Sequence, residues 1–452
     1  EGQVAAINQQ LNANTIVNVV SEEKIQELPD ANAAEALGRL PGVAVQRSGG
    51  EANKIVLRGL SDRFTTITVD GVRLAATDAD ARGLDLSTIS QSSLAGIELY
   101  KALTPDKDAD AIAGSVNLVT RKAPEQRLVR IDARGAYNQL NQTWGQYDLS
   151  ARYGERFWRK RLGVQLIGSL ERRDRSREYY DLSYDMGLAG GTDYEISDIE
   201  LNFRNEIRTR QGVSLLLDLD TPDGGTIRFN NVFNATQRSF IDYYRNYPTE
   251  GSEMFYGARD REQNIYTFTS ALRGEQYLRG WQLNWGASYA RSQSHDPFDF
   301  DISFTEPSAT DPQGNPIAGM GRIPPEELKG PPENIISYAL NNFERAYFYT
   351  AFYREEENRE DETTLYLDLA RDYALGGGVA GQFKVGGKFR RKTRFRERGE
   401  LLAPYYNEAF PRYVQTADGR VVPKDFSGTP FEHLQMVGDR LLVTNFLGAN
   451  PE

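Results

Sequence analysis

The chain has 452 residues, 53 Lys and Arg against 64 Asp and Glu, a formal net charge of -11 and no cysteine. That balance argues against a nucleic-acid partner, which needs a basic footprint, and the missing thiols exclude a disulfide framework and thiol chemistry. No apolar run reaches the ~18–20 residues of a spanning helix, yet a β-barrel wall stays compatible with this composition because only alternate residues of its strands face lipid.

The chain starts at Glu1 without a charged-then-apolar leader, so it reads as a mature or partial chain. Residues 1–14 form a lead-in in which Val4, Ile7 and Leu11 share one face of a short helix. TIVNVV (15–20) reads as a strand. Ser21 is placed to cap a helix with Glu22 and Glu23 in its first turn, and Pro29 ends it. Asp30 is expected to cap a second, Ala-rich helix reaching about Leu40, where Pro41-Gly42 stops it. Residues 43–46 and 54–60 are strand-like. Asp70-Gly71 between 65–69 and 72–74 suits a two-residue hairpin, because both residues tolerate positive φ. Polar loops lie at 61–64 and 75–84, and strands at 97–100 and 115–120 complete a small α+β unit over 15–122.

Five blocks in this unit carry a family resemblance. They are Pro41-Gly42-Val43, Leu57-Arg58-Gly59, Thr68-Val69-Asp70-Gly71-Val72, Ile97-Glu98-Leu99-Tyr100-Lys101 and Gly114-Ser115-Val116-Asn117-Leu118-Val119-Thr120. In that order they resemble the plug domain of TonB-dependent outer-membrane receptors. The chain departs from the family pattern at Ala102-Leu103-Thr104-Pro105, where Gly-Pro is frequent, and it shows no energy-coupling box before Thr15. The resemblance implies an α+β plug domain followed by an antiparallel transmembrane β-barrel. It also implies that Arg58 and Lys101 pair with acidic residues of the inner wall, the other reading being ordinary surface bases.

From residue 123 to 452 the period becomes two. Trp281, Leu283, Trp285, Ala287 and Tyr289 alternate with Gln282, Asn284, Gly286 and Ser288, the apolar-out, polar-in pattern of a barrel strand. About nine long strands read this way: 127–138, 144–157, 161–176, 200–220, 226–244, 259–276, 281–294, 360–373 and 379–398. Tight turns at 158–160, 221–225, 278–280 and 374–378 alternate with long connections at 177–199, 245–258, 293–359 and 399–452. That asymmetry marks periplasmic turns and outer loops. An open set of strands leaves edges in lipid, so the barrel is expected to continue beyond this chain toward the family's ~22 strands.

No catalytic constellation is present, so the chain is read as no enzyme, without cofactor or metal. His295 and His433 read as loop histidines. Asp106, Asp108 and Asp110 fail as a calcium loop, since Ala111 and Asn117 stand where Gly and Glu are needed. Asp296, Asp299 and Asp301 read as a solvated acidic loop. For solute capture the plug's outward loops offer Arg63, Phe64, Thr77, Asp78, Asp80 and Arg82, whose alternative role is that of polar turn residues. The outer loops add Tyr247, Phe298 and Phe300, with Tyr243 and Tyr244 assigned to the interfacial aromatic girdle.

The reading is an outer-membrane receptor, embedded in outer-membrane lipid, that imports a scarce solute by plug remodelling driven by the inner-membrane TonB system. An oligosaccharide is the first expectation and an iron chelate (siderophore) the second. The competing class is a structural platform of a surface assembly with a lipoprotein partner, docked through the Pro-rich segment 306–332.

Overall fold

The computed structural model describes residues 17–21, 32–48, 50–76, 84–89, 94–101, 111–188, 190–250, 253–342, 345–375, 379–402 and 413–423. The expected helices at 1–14 and 22–29, the Asp106–Asp110 stretch and His433 lie outside these residues.

The N-terminal unit begins with strand β1 (Val17–Ser21) and helix α1 (Ala33–Leu37). Asn32 caps α1, its side-chain oxygen accepting from the backbone N–H of Ala34 and Glu35 at 2.9 and 3.1 Å. The cap therefore falls two residues after the expected Asp30, and the helix ends at Leu37, before the expected Leu40, with Gly38 rather than Pro41-Gly42 closing it. Strands β2 (Val43–Ser48) and β3 (Glu51–Leu57) pair as a separate hairpin. Strands β4 (Thr65–Val69), β5 (Val72–Arg73), β6 (Leu94–Tyr100) and β7 (Gly114–Thr120) join β1 in one sheet, ordered β1-β6-β7-β4-β5. The β4–β5 turn is the expected one, with Asp70 at φ 52° and Gly71 at φ 82°. Leu37, Ile55, Leu57, Leu86, Leu94, Ile97, Leu99, Val116 and Leu118 are buried between α1, the hairpin and the sheet.

The wall follows as β8 (Leu128–Asn138), β9 (Thr143–Phe157), β10 (Leu162–Asp174), β11 (Arg177–Met186), β12 (Tyr194–Asp220), β13 (Thr226–Pro248), β14 (Met254–Leu278) and β15 (Trp281–Glu306). Two short strands, β16 (Ala309–Thr310) and β17 (Pro316–Ala318), and helix α2 (Pro332–Ile336) interrupt it. The wall resumes with β18 (Tyr347–Leu375) and β19 (Val379–Leu402), and a small hairpin, β20 (Tyr413–Gln415) and β21 (Val421–Pro423), comes last. All wall strands pair antiparallel with their neighbours in sequence, except that β10 and β11 lie end to end along β12, on either side of a break at Arg175-Ser176. The expected strand order holds, and β10 with β11 forms the third line of the wall.

Cross-strand register shows what the outward face meets. One row runs Leu217, Phe229, Leu272, Ala287, Leu365, Phe389. Phe229, Leu272, Leu365 and Phe389 are exposed, on the face turned away from the N-terminal unit. On β15 this apolar stretch runs from Trp281 to Tyr289, matching the ~9–11 residues a tilted strand needs to cross a bilayer. It ends where Arg291 pairs with Asp361 at 2.6 Å. Further up the same face, the row Thr209, Gln237, Asn264, His295, Glu357, Glu397 is polar.

The strands do not stop there. With 23 to 29 residues each, β12 to β15 and β18 run well past the bilayer. The expected long connections at 177–199, 245–258 and 293–359 therefore shrink to 187–193, 249–253 and 307–346. Backbone pairing continues where the outward face is no longer lipid-facing, so the alternation that marks the lower strand is lost while the ladder persists. Higher still, the outward face turns apolar again: Ile199, Tyr247, Tyr256, Ile302 and Phe304 are buried with Met320, Leu328 and Ile335 of the 307–346 connection. Glu306, fully buried, staples this cover. Its carboxylate accepts from the backbone N–H of Gly319 at 2.7 Å and Asn342 at 2.8 Å and from the Tyr256 hydroxyl. The expected docking arm is thus folded onto its own wall. Glu306→Ala leaves the buried N–H of Gly319 unpaired, at ~1–3 kcal/mol, and frees the half-buried N–H of Asn342. Limited proteolysis is expected to cut within 307–346 at least tenfold faster in that variant, and an unchanged rate would refute the staple.

Candidate functional site

The N-terminal unit meets the wall through polar contacts at separate heights. Lowest, Asp218 of β12 accepts from the Ala123 N–H at 3.0 Å and from Arg156 at 2.7 Å. This fixes the crossover from unit to wall.

The Asp70 turn is the second contact. Its carboxylate accepts from the backbone N–H of Thr120 at 3.1 Å and from the Thr120 hydroxyl, which ties the hairpin to the end of β7. The same carboxylate takes Asn230 of β13 at 2.6 Å and Arg273 of β14 at 3.0 Å, and Arg273 also donates to the Asp70 carbonyl. The left-handed φ aims both carboxylate and carbonyl at the wall.

Glu51, at the start of β3, makes the third. Arg210 grips it with two nitrogens at 2.6 and 2.8 Å, Arg208 lies at 3.0 Å and Arg175 at 3.5 Å. From the unit itself, Asn32 donates to it at 3.2 Å. Arg208 also donates to the Ser48 hydroxyl at 3.3 Å, and Arg210 to the Ser87 hydroxyl at 3.2 Å. Glu51 is 2 % exposed. Burial alone would raise its pKa, but the guanidinium of Arg210, joined by Arg175 and Arg208, outweighs burial and holds the carboxyl at about 2. Its ordinary value is 4.5. The folded value is the lower one, so this stabilisation is complete above pH 4.5 and fades as pH falls toward 2. A shift of this size corresponds to roughly 3 kcal/mol. Thermal unfolding is expected to lose that margin between pH 5 and pH 2.5 in the native chain, and Glu51→Gln is expected to flatten the dependence; equal slopes would contradict the assignment.

Highest, Ala76 is held on both sides. Its N–H donates to Glu360 of β18 at 2.9 Å, and the Ser292 hydroxyl of β15 donates to its carbonyl at 2.7 Å. The wall thus grips the chain immediately before residues 77–83.

Of the expected solute contacts, Arg63 is exposed with its guanidinium 4.9 Å from the centre of the Phe64 ring, and Phe64 is partly packed on the unit's core. Thr77, Asp78, Asp80 and Arg82 lie outside the described residues. Tyr247, Phe298 and Phe300 are not in loops. All three sit in wall strands on the face turned away from the N-terminal unit, Tyr247 only 3 % exposed and Phe300 4.8 Å from the Tyr353 ring. The structure does not bring them near Arg63 and Phe64. Arg58 is exposed at φ 55°, Lys101 is half-buried, and neither forms an ion pair among the described residues.

The inward face carries groups that sequence reasoning placed elsewhere. Tyr244 points inward, where its hydroxyl donates to Asp301 at 3.2 Å; a Cβ at Gly257 would overlap its ring, so glycine is needed beneath it. Tyr243 packs on the outer apolar cluster, so neither tyrosine belongs to a girdle at the bilayer edge. Tyr179 and Arg204 converge on Asp242 from the same inward face. Asp296 and Asp299 are strand residues in ion pairs with Arg261 and Arg259, each at 2.6 Å, rather than a solvated loop. His295 likewise belongs to β15, 3.6 Å from Glu355. Pairing over such sequence distances leaves no local signal. Glu51 and Asp70 could be noticed only as an acid beside a Gly-Gly and an acid in a hairpin turn.

The family model described as TonB-dependent Receptor Plug Domain matches residues 9–115. The chain is 30% identical over 149 residues to the vitamin B12 transporter BtuB of Photobacterium profundum, covering 32% of this chain and 23% of that protein. It is 29% identical over 121 residues to an iron-regulated outer membrane virulence protein of Vibrio cholerae, covering 25% of this chain and 18% of that one. The match thus spans about a fifth of the length of these curated relatives. Among solved structures, a mutant form of the ferric enterobactin receptor PfeA of Pseudomonas aeruginosa aligns at a TM-score of 0.42 and 13% identity over 86% of this chain and 72% of that one.

Proposed function

We propose, given that this chain belongs to the TonB-dependent outer-membrane receptors and lies in the cell outer membrane, that it admits a scarce solute when its plug, residues 15–122, is remodelled within the wall begun by residues 123–452. The observation that carries this is the nature of the plug–wall contact. It is built from buried ion pairs and hydrogen bonds at Glu51, Asp70, Ala76 and Ala123, while the plug's apolar core is internal to the plug. Polar groups can exchange each other for water or for a polar solute, whereas a greasy seal could not part without exposing apolar surface. The energy would come from the inner-membrane TonB system.

The solute would meet Arg63, Phe64, Thr77, Asp78, Asp80 and Arg82 of the plug and the inward residues Tyr179, Arg204 and Tyr244 of the wall. Rings beside paired carboxylates and guanidinium groups suit an oligosaccharide. A ferric chelate is the second candidate. The relatives named above include a vitamin B12 transporter and an iron-regulated outer membrane protein.

The test is binding and uptake by the full-length receptor in cells with and without TonB, across neutral and acidic oligosaccharides, cobalamin and ferric chelates. One class bound below micromolar concentration and taken up only with TonB is the expected result. No high-affinity solute, with TonB immaterial, would overturn the reading.

A further inference from the structure

The charge around Glu51 is lopsided. Arg175, Arg208 and Arg210 face it from the wall. Behind them Arg177 and Arg238 converge on Glu206 at 3.3 and 3.2 Å, and Glu171 meets Arg210 at 2.8 Å. With Arg173, 3.6 Å from Glu171, the wall therefore contributes six guanidinium groups and the carboxylates of Glu171 and Glu206 to this cluster, and the plug adds Glu51, with the charge of Asp85 also acting on Arg210 and Arg238. Were the plug to shift, the wall would keep its arginines and lose the acid that Arg210 grips with two nitrogens. There is donor capacity to spare even now: the Nε of Arg175 and the Nε of Arg210 are buried without a hydrogen-bond partner among the described residues. A clustered, partly unsatisfied set of guanidinium groups with its counter-charge on a separable part of the chain is an anion site with an exchangeable occupant.

We propose that Arg175, Arg208 and Arg210 form a carboxylate-binding site on the wall, that Glu51 fills it while the plug is seated, and that a carboxylate of the incoming solute takes Glu51's place as the plug yields. The solute class is then acidic, an oligosaccharide bearing uronate-type carboxylates fitting both this site and the inward rings above it. No covalent step is involved. One anion replaces another on the same donors, so the wall's excess of buried positive charge does not grow as the plug yields, Glu171 and Glu206 alone being too few to balance it. This inference rests on the import reading and narrows its solute.

The test begins with Glu51→Gly in the full-length receptor, which deletes the whole side chain and leaves space for propionate. The variant is expected to unfold at lower temperature than the native receptor, and propionate at tens of millimolar is expected to restore most of the loss while propionamide does not. If the variant fails to fold, its refolding yield in propionate against propionamide gives the same comparison. The rescue is expected to vanish in Glu51→Gly/Arg210→Gln. Equal effects of the two probes, or rescue that persists in the double variant, would overturn the site. In the otherwise native receptor, Arg208→Gln/Arg210→Gln is expected to weaken binding of an oligouronate at least tenfold relative to a neutral oligosaccharide of equal length. Import of neutral sugars alone would sink this proposal and leave the import reading standing. Import of nothing would sink that reading, while the propionate result would still decide whether the wall holds an anion site.

Discussion

Replacing Asp70 by alanine is expected to destabilise the seated plug by roughly 3–5 kcal/mol, the usual cost of removing one partner of a buried charge network. Its partners lose their acceptor at once: the Thr120 N–H and hydroxyl inside the plug, Asn230 on β13 and Arg273 on β14. Arg273 would be left beside the turn without the carboxylate it now meets at 3.0 Å. Backbone strain adds a second term, because Asp70 sits at φ 52° and alanine enters that region at a cost of ~1–2 kcal/mol. Asp70→Gly separates the two: it removes the carboxylate and keeps the turn, so it should recover about 1 kcal/mol of the loss. Thermal unfolding in detergent and protease cleavage of the plug check both variants. If Asp70→Ala matched the native receptor in both assays, the turn would not be what ties plug to wall.

The second large effect concerns lipid. Leu272 lies mid-row in the outward apolar band, between Phe229 and Ala287, and is 38 % exposed to what surrounds the wall. Leu272→Arg is expected to cost about 2–4 kcal/mol of folding into bilayers, the depth-dependent penalty for a cation near the membrane midplane. Gln237→Arg, on the same face but in the polar row above, should change folding by under ~0.5 kcal/mol, as surface substitutions usually do. Equal and small effects at both positions would mean that the band does not face hydrocarbon.

How much of this was legible in the sequence follows from the reach of each signal. The five plug blocks are local, and the Asp70-Gly71 turn and the β6 and β7 strands fall where they were expected, whereas the helix expected to reach Pro41-Gly42 already ends at Leu37. The lower halves of the wall strands were legible because lipid on one side and polar plug contacts on the other impose a strict alternation, as in Trp281 to Tyr289. Above Arg291 that constraint lifts. Outward positions become His295 and Glu357, then Ile302 and Phe304 under the chain's own 307–346 cover, so residues of an unbroken strand looked like a loop. The same loss placed Phe298, Phe300 and Tyr247 among loop aromatics and sent Tyr244 to the wrong face. The plug–wall contacts were out of reach for a different reason. Arg208 stands 157 residues from Glu51 and Arg273 stands 203 from Asp70, and nothing in either neighbourhood names the other.

The account depends on a sheet with hydrocarbon on one side and a plug on the other, and single introduced cysteines make that directly measurable, because residues 1–452 contain none of their own to interfere. Single cysteines at successive positions from Trp281 to His295 in the full-length receptor, spin-labelled in lipid bilayers, report collision with oxygen, which concentrates in hydrocarbon, and with a nickel chelate, which stays in water. Labels at Leu283, Trp285, Ala287 and Tyr289 should favour oxygen, their alternating neighbours should reach neither probe freely, and the label at His295 should switch to the nickel chelate. Nickel access at Leu283 to Tyr289 equal to that at His295 would place the band in water and end the case for a plugged wall in a membrane.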